Sequence, residues 1–137
     1  MPLLDTRDAA LLCADIAYDK KAEDILILDV SKIIVITSYF VIATGQSRKQ
    51  LQAIAEGVHE KLKPLGFRRF SREGYEEGRW ILLDYGDVVV QLFDVEARPY
   101  YNLEMIWGDA PRVAFTPKAP GAATPPPAAR PSREASA

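Results

Sequence analysis

Two side chains able to support nucleophilic chemistry occur once each in the chain, Cys13 and His59. A thiol becomes a nucleophile when a base takes its proton and a third group orients that base. Cys13 falls on the apolar stripe of a predicted helix, where a cysteine acts as a small core residue. No orienting group is evident for His59. The sequence therefore predicts an inert core thiol and a boundary histidine, and no catalytic residue.

Three aspartates, Asp29, Asp84 and Asp87, stand at the ends of predicted strands and could hold Mg²⁺ for nucleotidyl transfer. Turn aspartates also bond their own backbone, which explains the same positions without a metal. We expect no metal site and no cofactor. A nucleotidyltransferase-like enzyme using these carboxylates remains the alternative from another functional class.

Two further patterns could bind phosphate. Gly45-Gln46-Ser47 precedes a predicted helix, but one glycine without a following lysine does not form a P-loop, and capping by Ser47 explains the segment. Arg68, Arg69 and Arg72 form a small basic cluster that could contact RNA phosphate or a protein carboxylate. A solvated strand edge is the simpler interpretation of these arginines.

Composition limits the function classes. The 137 residues are 48% hydrophobic, which suits one domain, and 17 basic against 19 acidic residues give a net charge of -2. No global field attracts nucleic acid or an anionic membrane. No apolar run approaches the roughly 18 residues that span a bilayer. One cysteine excludes an internal disulfide, so we expect a cytoplasmic protein.

Seven of the ten prolines lie in Pro111 to Ala137. Such a segment buries too little apolar surface to offset its ordering entropy. We therefore predict a folded domain over residues 1–110 and a disordered Pro/Ala-rich tail over 111–137.

The hydrophobic periodicity changes along this domain in the order α, β, β, α, β, β, β, α. The fold class is α/β, a mixed sheet of about five strands flanked by helices. The predicted segments are a helix from about Asp5 to Asp19, strands at Asp24–Val30 and Tyr39–Gly45 with Ile33–Ile36 leading into the latter, a helix from Ser47 to Pro64, a brief strand at Phe67–Phe70, a hairpin at Trp80–Phe93, and a helix from Pro99 containing Tyr100, Leu103 and Trp107.

The hairpin is apolar on both faces. A two-residue turn at Tyr85-Gly86 pairs Leu83 with Val88 and Trp80 with Gln91. One face is then wholly aliphatic and suits the core. The other carries Trp80, Leu82, Val89, Gln91 and Phe93, and is either a second core layer or a partly exposed protein-docking surface.

Three blocks in order carry a family resemblance: LDVSKIIVITSYFVIATGQSRKQLQAIAEGVHEKL, REGYEEGRWILLDYGDVVVQLF and ARPYYNLEMIWGDA. Together, over about residues 5–110, they resemble the ribosomal silencing factor (Iojap) family. Ser38 stands where that family usually has Asp, and Gln91 where it usually has His.

The resemblance implies a nucleotidyltransferase-like topology without catalytic carboxylates, and a translational repressor rather than an enzyme. Its expected partner is the large ribosomal subunit, bound through ribosomal protein L-fourteen so that the small subunit cannot join, which silences translation when nutrients are short. Ribosomal RNA is expected nearby, and the protein is expected to be a monomer or homodimer. A large-subunit assembly factor is the alternative. By resemblance, the partner-binding residues are Trp80, Leu82, Asp84 and Tyr85, with Leu83 and Gly86 beside them.

Overall fold

The computed structural model describes residues 4–97 and 110–115. Its elements are α1 (Thr6–Asp19), β1 (Glu23–Asp29), β2 (Tyr39–Gly45), α2 (Arg48–Leu62), a 3₁₀ turn (Lys63–Leu65), β3 (Ser71–Glu73), β4 (Trp80–Asp84) and β5 (Val88–Asp94). This order confirms the predicted sequence of elements up to the hairpin. The helix predicted after Pro99 lies outside the described residues. No helix in the described part of the chain has the length and apolar character to cross a membrane.

Both helices begin at capping residues visible in the sequence. The Asp5 carboxylate accepts the Asp8 N–H at 2.8 Å, and the Ser47 hydroxyl accepts the Gln50 N–H at 3.1 Å. The Gln50 side-chain oxygen also accepts the N–H of Gln46, the residue before the N-cap, which ties the incoming chain to the first turn. Capping therefore accounts for the structure at Gly45-Gln46-Ser47.

The five strands form one mixed sheet in the order β1-β2-β5-β4-β3. β2 and β5 are parallel, and the other neighbours are antiparallel. Both helices pack on one face, which we call the helix face. The large core there includes Cys13 from α1, Leu51 from α2, and Ile81, Leu83 and Val90 from the hairpin.

The opposite face carries a smaller second core, built around Leu28, Phe40, Ile42 and Phe93, with Ala110 packed among them. This core occupies the β1, β2 and β5 side of the sheet. Burial decreases toward β4 and β3, where Trp80 is exposed and Leu82 is half-buried. The mixed hairpin face is therefore a second core layer on its β5 side and a partly exposed surface on its β4 side.

The hairpin register differs from the predicted one by two residues. Leu83 pairs with Val90 and Trp80 with Phe93, instead of with Val88 and Gln91. Tyr85 does not adopt the positive φ that a two-residue turn demands, and Gly86 does, with φ of 87°. Because side chains alternate with a period of two, a two-residue shift leaves every residue on its predicted face.

Two other predictions need correction. The third strand is Ser71–Glu73, not Phe67–Phe70, and Ile33–Ile36 lies in a loop where Val35 is 98% exposed. The chain also continues in contact with the domain beyond residue 110. The Asp29 N–H donates to the Pro111 carbonyl at 2.8 Å, and the Val113 N–H donates to the Ile27 carbonyl at 2.9 Å. Residues 116–137 of the predicted tail lie outside the described residues.

Gly74 closes the loop between β3 and β4, and we expect its replacement by alanine to destabilise the fold. Its φ is +76°, and an added Cβ would lie 2.0 Å from the Trp80 carbonyl oxygen. The left-handed conformation alone costs a non-glycine residue about 1–2 kcal/mol, and the clash adds to it. Urea unfolding of Gly74→Ala should show the loss. At Gly57 the nearest atom to an added Cβ is the mobile end of Lys20, so Gly57→Ala should be milder; equal losses would contradict this account.

Candidate protein-binding face

Trp80 is the largest exposed apolar side chain on the hairpin, with 36% of its surface accessible. Its indole lies flat on the Phe93 ring, with centroids 5.5 Å apart and an interplanar angle of 15°. The indole Nε1–H donates to the Gln91 Oε1 at 3.2 Å. Stacking and a hydrogen bond hold the ring in one orientation while part of it faces solvent, which is the arrangement of a preorganised anchor.

Gln91 is buried, at 6% exposed, although it is polar. It pairs across the ladder with Leu82, diagonally from Trp80. A buried amide is costly without partners, and the bond to the indole satisfies its oxygen. The sequence placed Gln91 on the correct face but directly opposite Trp80. Its function as the indole's acceptor follows only from the observed register.

Leu82 and Asp84 project from β4 on the same face as Trp80, because alternate residues of a strand share a face. Both are half-buried. Glu73 of β3 pairs with Leu82 and extends the surface to the sheet edge. We call Glu73, Trp80, Leu82 and Asp84 the open face. It spans about 13 Å along β4, at about 3.3 Å per residue.

Asp84 and Gly86 shape the end of this surface. The Asp84 Oδ1 accepts the Gly86 N–H at 2.8 Å, a local turn of the type expected for an aspartate there. Gly86 lies against Phe70, since an added Cβ would meet that ring at 3.2 Å. Of the six residues predicted at the interface, Trp80, Leu82, Asp84 and Gly86 thus reach the surface.

The remaining two residues, Leu83 and Tyr85, belong to the helix-face core. Leu83 is 0% exposed and Tyr85 is 4% exposed. The Tyr85 hydroxyl lies 2.9 Å from His59 Nδ1, and burial raises the pKa of Tyr85 to about 12. Their side chains face α1 and α2, so they support the hairpin from behind the open face.

The loop that leads into Trp80 is tied to α2. The Tyr75 hydroxyl donates to a Glu56 carboxylate oxygen at 2.6 Å, and the Gln52 side-chain amide donates to the Tyr75 carbonyl at 2.7 Å. These three residues fix where β4 begins and thus where Trp80 stands. The sequence pattern predicts no function for them, and the one signal it offers is a tyrosine within a Gly-rich acidic loop.

Acidic residues lie on the open face and in the loops that precede and follow β4. Glu76, Glu77 and Asp87 are exposed, while Asp84 and Glu73 belong to the face itself. The nearby Arg79 is engaged by acidic side chains, at 3.6 Å from Asp94 and 3.8 Å from Glu96. A positively charged partner surface would complement this distribution.

Among the described residues, Cys13 and the strand-end aspartates are not arranged as the alternative chemistry requires. Burial raises the pKa of the Cys13 thiol to about 12, so the thiolate is absent at neutral pH, in agreement with an inert core thiol. Asp29 and Asp84 end strands three spacings apart, about 14 Å, too far to share one cation. Ser31 hydrogen bonds to Asp29 and lowers the pKa of that carboxyl. Among described residues, no three His, Cys, Asp or Glu side chains group as metal ligands do.

His59 should make stability depend on pH. Burial, and then the charges of Arg69 and Lys63, lower the pKa of His59. The unfolded chain, with an ordinary pKa of about 6.5, then binds the proton more readily. Neutral His59 therefore contributes its full stabilisation above about pH 6.5. That contribution is lost as the pH falls through the pKa that His59 has in the folded protein. Urea unfolding at several pH values should show that the free energy of unfolding falls more steeply with acid for the wild type than for His59→Gln. An equal pH dependence of the two proteins would contradict this role of His59.

Comparison with known proteins gives a consistent result. The family model described as ribosomal silencing factor during starvation matches residues 4–137. A Bacillus subtilis protein named ribosomal silencing factor RsfS is 50% identical over 93 residues, which cover 68% of this chain and 79% of the relative. The protein of the same name from Halalkalibacterium halodurans is 42% identical over 110 residues, covering 80% and 94%.

A solved structure is also similar. The X-ray crystal structure of a Chromobacterium violaceum protein matches with a TM-score of 0.74 and 37% sequence identity. The match covers 89% of this chain and 98% of that chain. The mixed five-stranded sheet described above is therefore shared with an experimentally determined structure.

Proposed function

Because the chain belongs to the ribosomal silencing factor family, we propose that it represses translation by binding the large ribosomal subunit through ribosomal protein L-fourteen, so that the small subunit cannot join. The proposal locates the protein in the cytoplasm and requires no cofactor. Its contact surface is the open face, with Gly86 at one end.

The observation that supports this proposal most strongly is the state of Trp80. A tryptophan that is 36% exposed, stacked on Phe93 and hydrogen-bonded to Gln91 offers a large contact area. Little conformational entropy remains to be lost when such a ring docks. Interface hot spots are enriched in Trp, at the centre of a patch with a polar rim.

The mechanism is steric. A domain seated at the contact between subunits occupies volume that the small subunit needs, so repression requires affinity but no bond-making step. The acidic residues around the open face favour a basic ribosomal protein as partner and increase the rate of encounter with it. Leu83 and Tyr85 contribute indirectly, because they hold β4 against the helices.

The proposal is tested by measuring the affinity of the purified protein for isolated L-fourteen and for isolated large subunits. We expect binding to both, and no comparable binding to small subunits. Binding to large subunits without binding to L-fourteen would assign the contact to another component. Absence of binding to large subunits would refute the function.

A further inference from the structure

Basic side chains gather where the chain leaves α2 and enters β3. Arg68 and Arg72 are exposed, Arg69 is half-buried, and Lys63 is exposed at the start of the 3₁₀ turn. We call these four residues the basic edge. It differs from the protein as a whole, whose net charge is -2.

Within the described part of the chain, no carboxylate lies at ion-pairing distance from this cluster. The ion pairs found there, at a limit of 4.0 Å, join Arg79 to Asp94 and Glu96. The charges of Arg69, Lys63 and Arg72 each lower the pKa of His59, while Glu56 raises it. The basic edge is thus a local positive field available to an anionic partner.

Two of the arginines stack on aromatic rings. The Arg68 guanidinium carbon lies 5.1 Å from the centroid of Phe70, and that of Arg72 lies 3.9 Å from the centroid of Tyr75. Phe70 is itself 58% exposed. Stacking holds a guanidinium plane while its N–H groups remain able to bind phosphate in a bidentate manner.

The basic edge adjoins the open face. The Phe70 N–H donates to the Asp84 carbonyl at 2.7 Å, and the Phe70 ring lies against Gly86. When a partner covers Asp84 and Gly86, the molecules next to that partner therefore come close to Phe70 and Arg68. Arg72 pairs with Leu83 and therefore lies on the helix-face side of β3, so one docking event engages both arginines only where the anionic partner follows the sheet edge from Arg68.

We infer that the basic edge contacts the phosphodiester backbone of RNA beside the protein that the open face binds. This inference rests on the proposed function. The open face is acidic and suits a basic protein, and such a partner would repel the arginines. Within a ribosomal subunit, the phosphates of the RNA next to that protein supply the opposite charge.

The test compares three double variants by their affinity for isolated large subunits at several salt concentrations. Arg68→Gln/Arg72→Gln removes two charges from the basic edge, and Arg68→Lys/Arg72→Lys keeps them. Arg7→Gln/Lys49→Gln removes two charges from exposed positions at the starts of α1 and α2. Thermal unfolding of each variant verifies that the domain is intact.

We expect the plot of log affinity against log salt to become shallower by about 1.4–1.8 for the glutamine pair, since each lost phosphate contact removes about 0.7–0.9. The lysine pair should keep most of the wild-type slope, and the control pair should keep it entirely. Affinity for isolated L-fourteen, without RNA, should not decrease in the glutamine pair.

Two results would overturn the inference. A slope equal to that of the control pair would show that the basic edge contacts no phosphate. If the glutamine pair loses as much affinity for isolated L-fourteen as for large subunits, the arginines contact protein carboxylates instead. In either case wild-type binding to large subunits would leave the proposed function intact, whereas absence of that binding would refute the function itself.

Discussion

Trp80→Ala should abolish detectable co-sedimentation with large ribosomal subunits while leaving the domain folded. Truncation of a central aromatic anchor typically costs at least about 2 kcal/mol of binding free energy, about a 30-fold loss of affinity. The ring also covers Phe93 and binds Gln91, so stability should decrease as well. Because Trp80 is one-third exposed, that decrease should be less than the about 3–5 kcal/mol of a fully buried aromatic.

Tyr18→Ala provides the matched control, because Tyr18 is a half-buried aromatic residue of α1, a helix that packs on the side of the sheet opposite the open face. It should bind large subunits as the wild type does. Trp80→Phe should bind at an intermediate level, since it keeps a ring above Phe93 but loses the N–H donor. If Trp80→Ala unfolds the protein, Trp80 is a core residue; if it binds normally, the open face is not the contact surface.

Leu83→Ala should lose much stability, about 2–5 kcal/mol, because Leu83 is 0% exposed and truncation leaves a cavity among α1, α2 and the sheet. Leu82→Ala, one residue earlier on the opposite face, should cost about 1 kcal/mol or less, since Leu82 is already partly exposed to solvent. These two substitutions remove the same atoms from adjacent positions.

Binding should show the reverse order. Leu82→Ala should weaken affinity for large subunits more than Leu83→Ala does, provided that both are measured where each variant is folded. Urea unfolding gives the stability of each variant, and sedimentation with large subunits gives its binding. A larger stability loss at Leu82 than at Leu83 would contradict the assignment of faces.

The elements and faces followed from local chemistry. Asp5 and Ser47 are capping residues whose bonds are local in sequence, so the helix starts were predictable. The run Tyr39–Gly45 was predicted with its observed bounds, because a continuous apolar run at the centre of a sheet has few alternatives. The faces of the hairpin were predicted correctly although the register was wrong, because a shift of two residues keeps each side chain on the same face.

The remaining features depend on contacts distant in sequence. The bond from Trp80 to Gln91 exists only in the observed register, and the direction of Tyr85 depends on His59 of α2. Likewise, pairing of residues 111–113 with β1 lacks a local signal in a proline-rich segment. The family resemblance indicated β4 as the candidate contact strand, but not which of its residues face the core.

The loop residues that position Trp80 illustrate the same limit. Tyr75 contributes through Glu56 and Gln52, which lie about twenty positions earlier, and no periodicity links the three. The loop glycine Gly74 was visible, yet its close approach to the Trp80 carbonyl depends on the folded loop. The contacts between this loop and α2 form only in the folded protein, so the hydrophobic pattern of the sequence does not predict them.

The central claim, that this domain keeps the ribosomal subunits apart, is tested most directly by sucrose-gradient sedimentation of isolated large and small subunits with and without the protein. We predict that saturating wild-type protein greatly reduces the joined ribosome peak, with the protein migrating alongside large subunits. The Trp80→Ala variant should restore joining. Unchanged formation of joined ribosomes at saturating wild-type protein would contradict the claim.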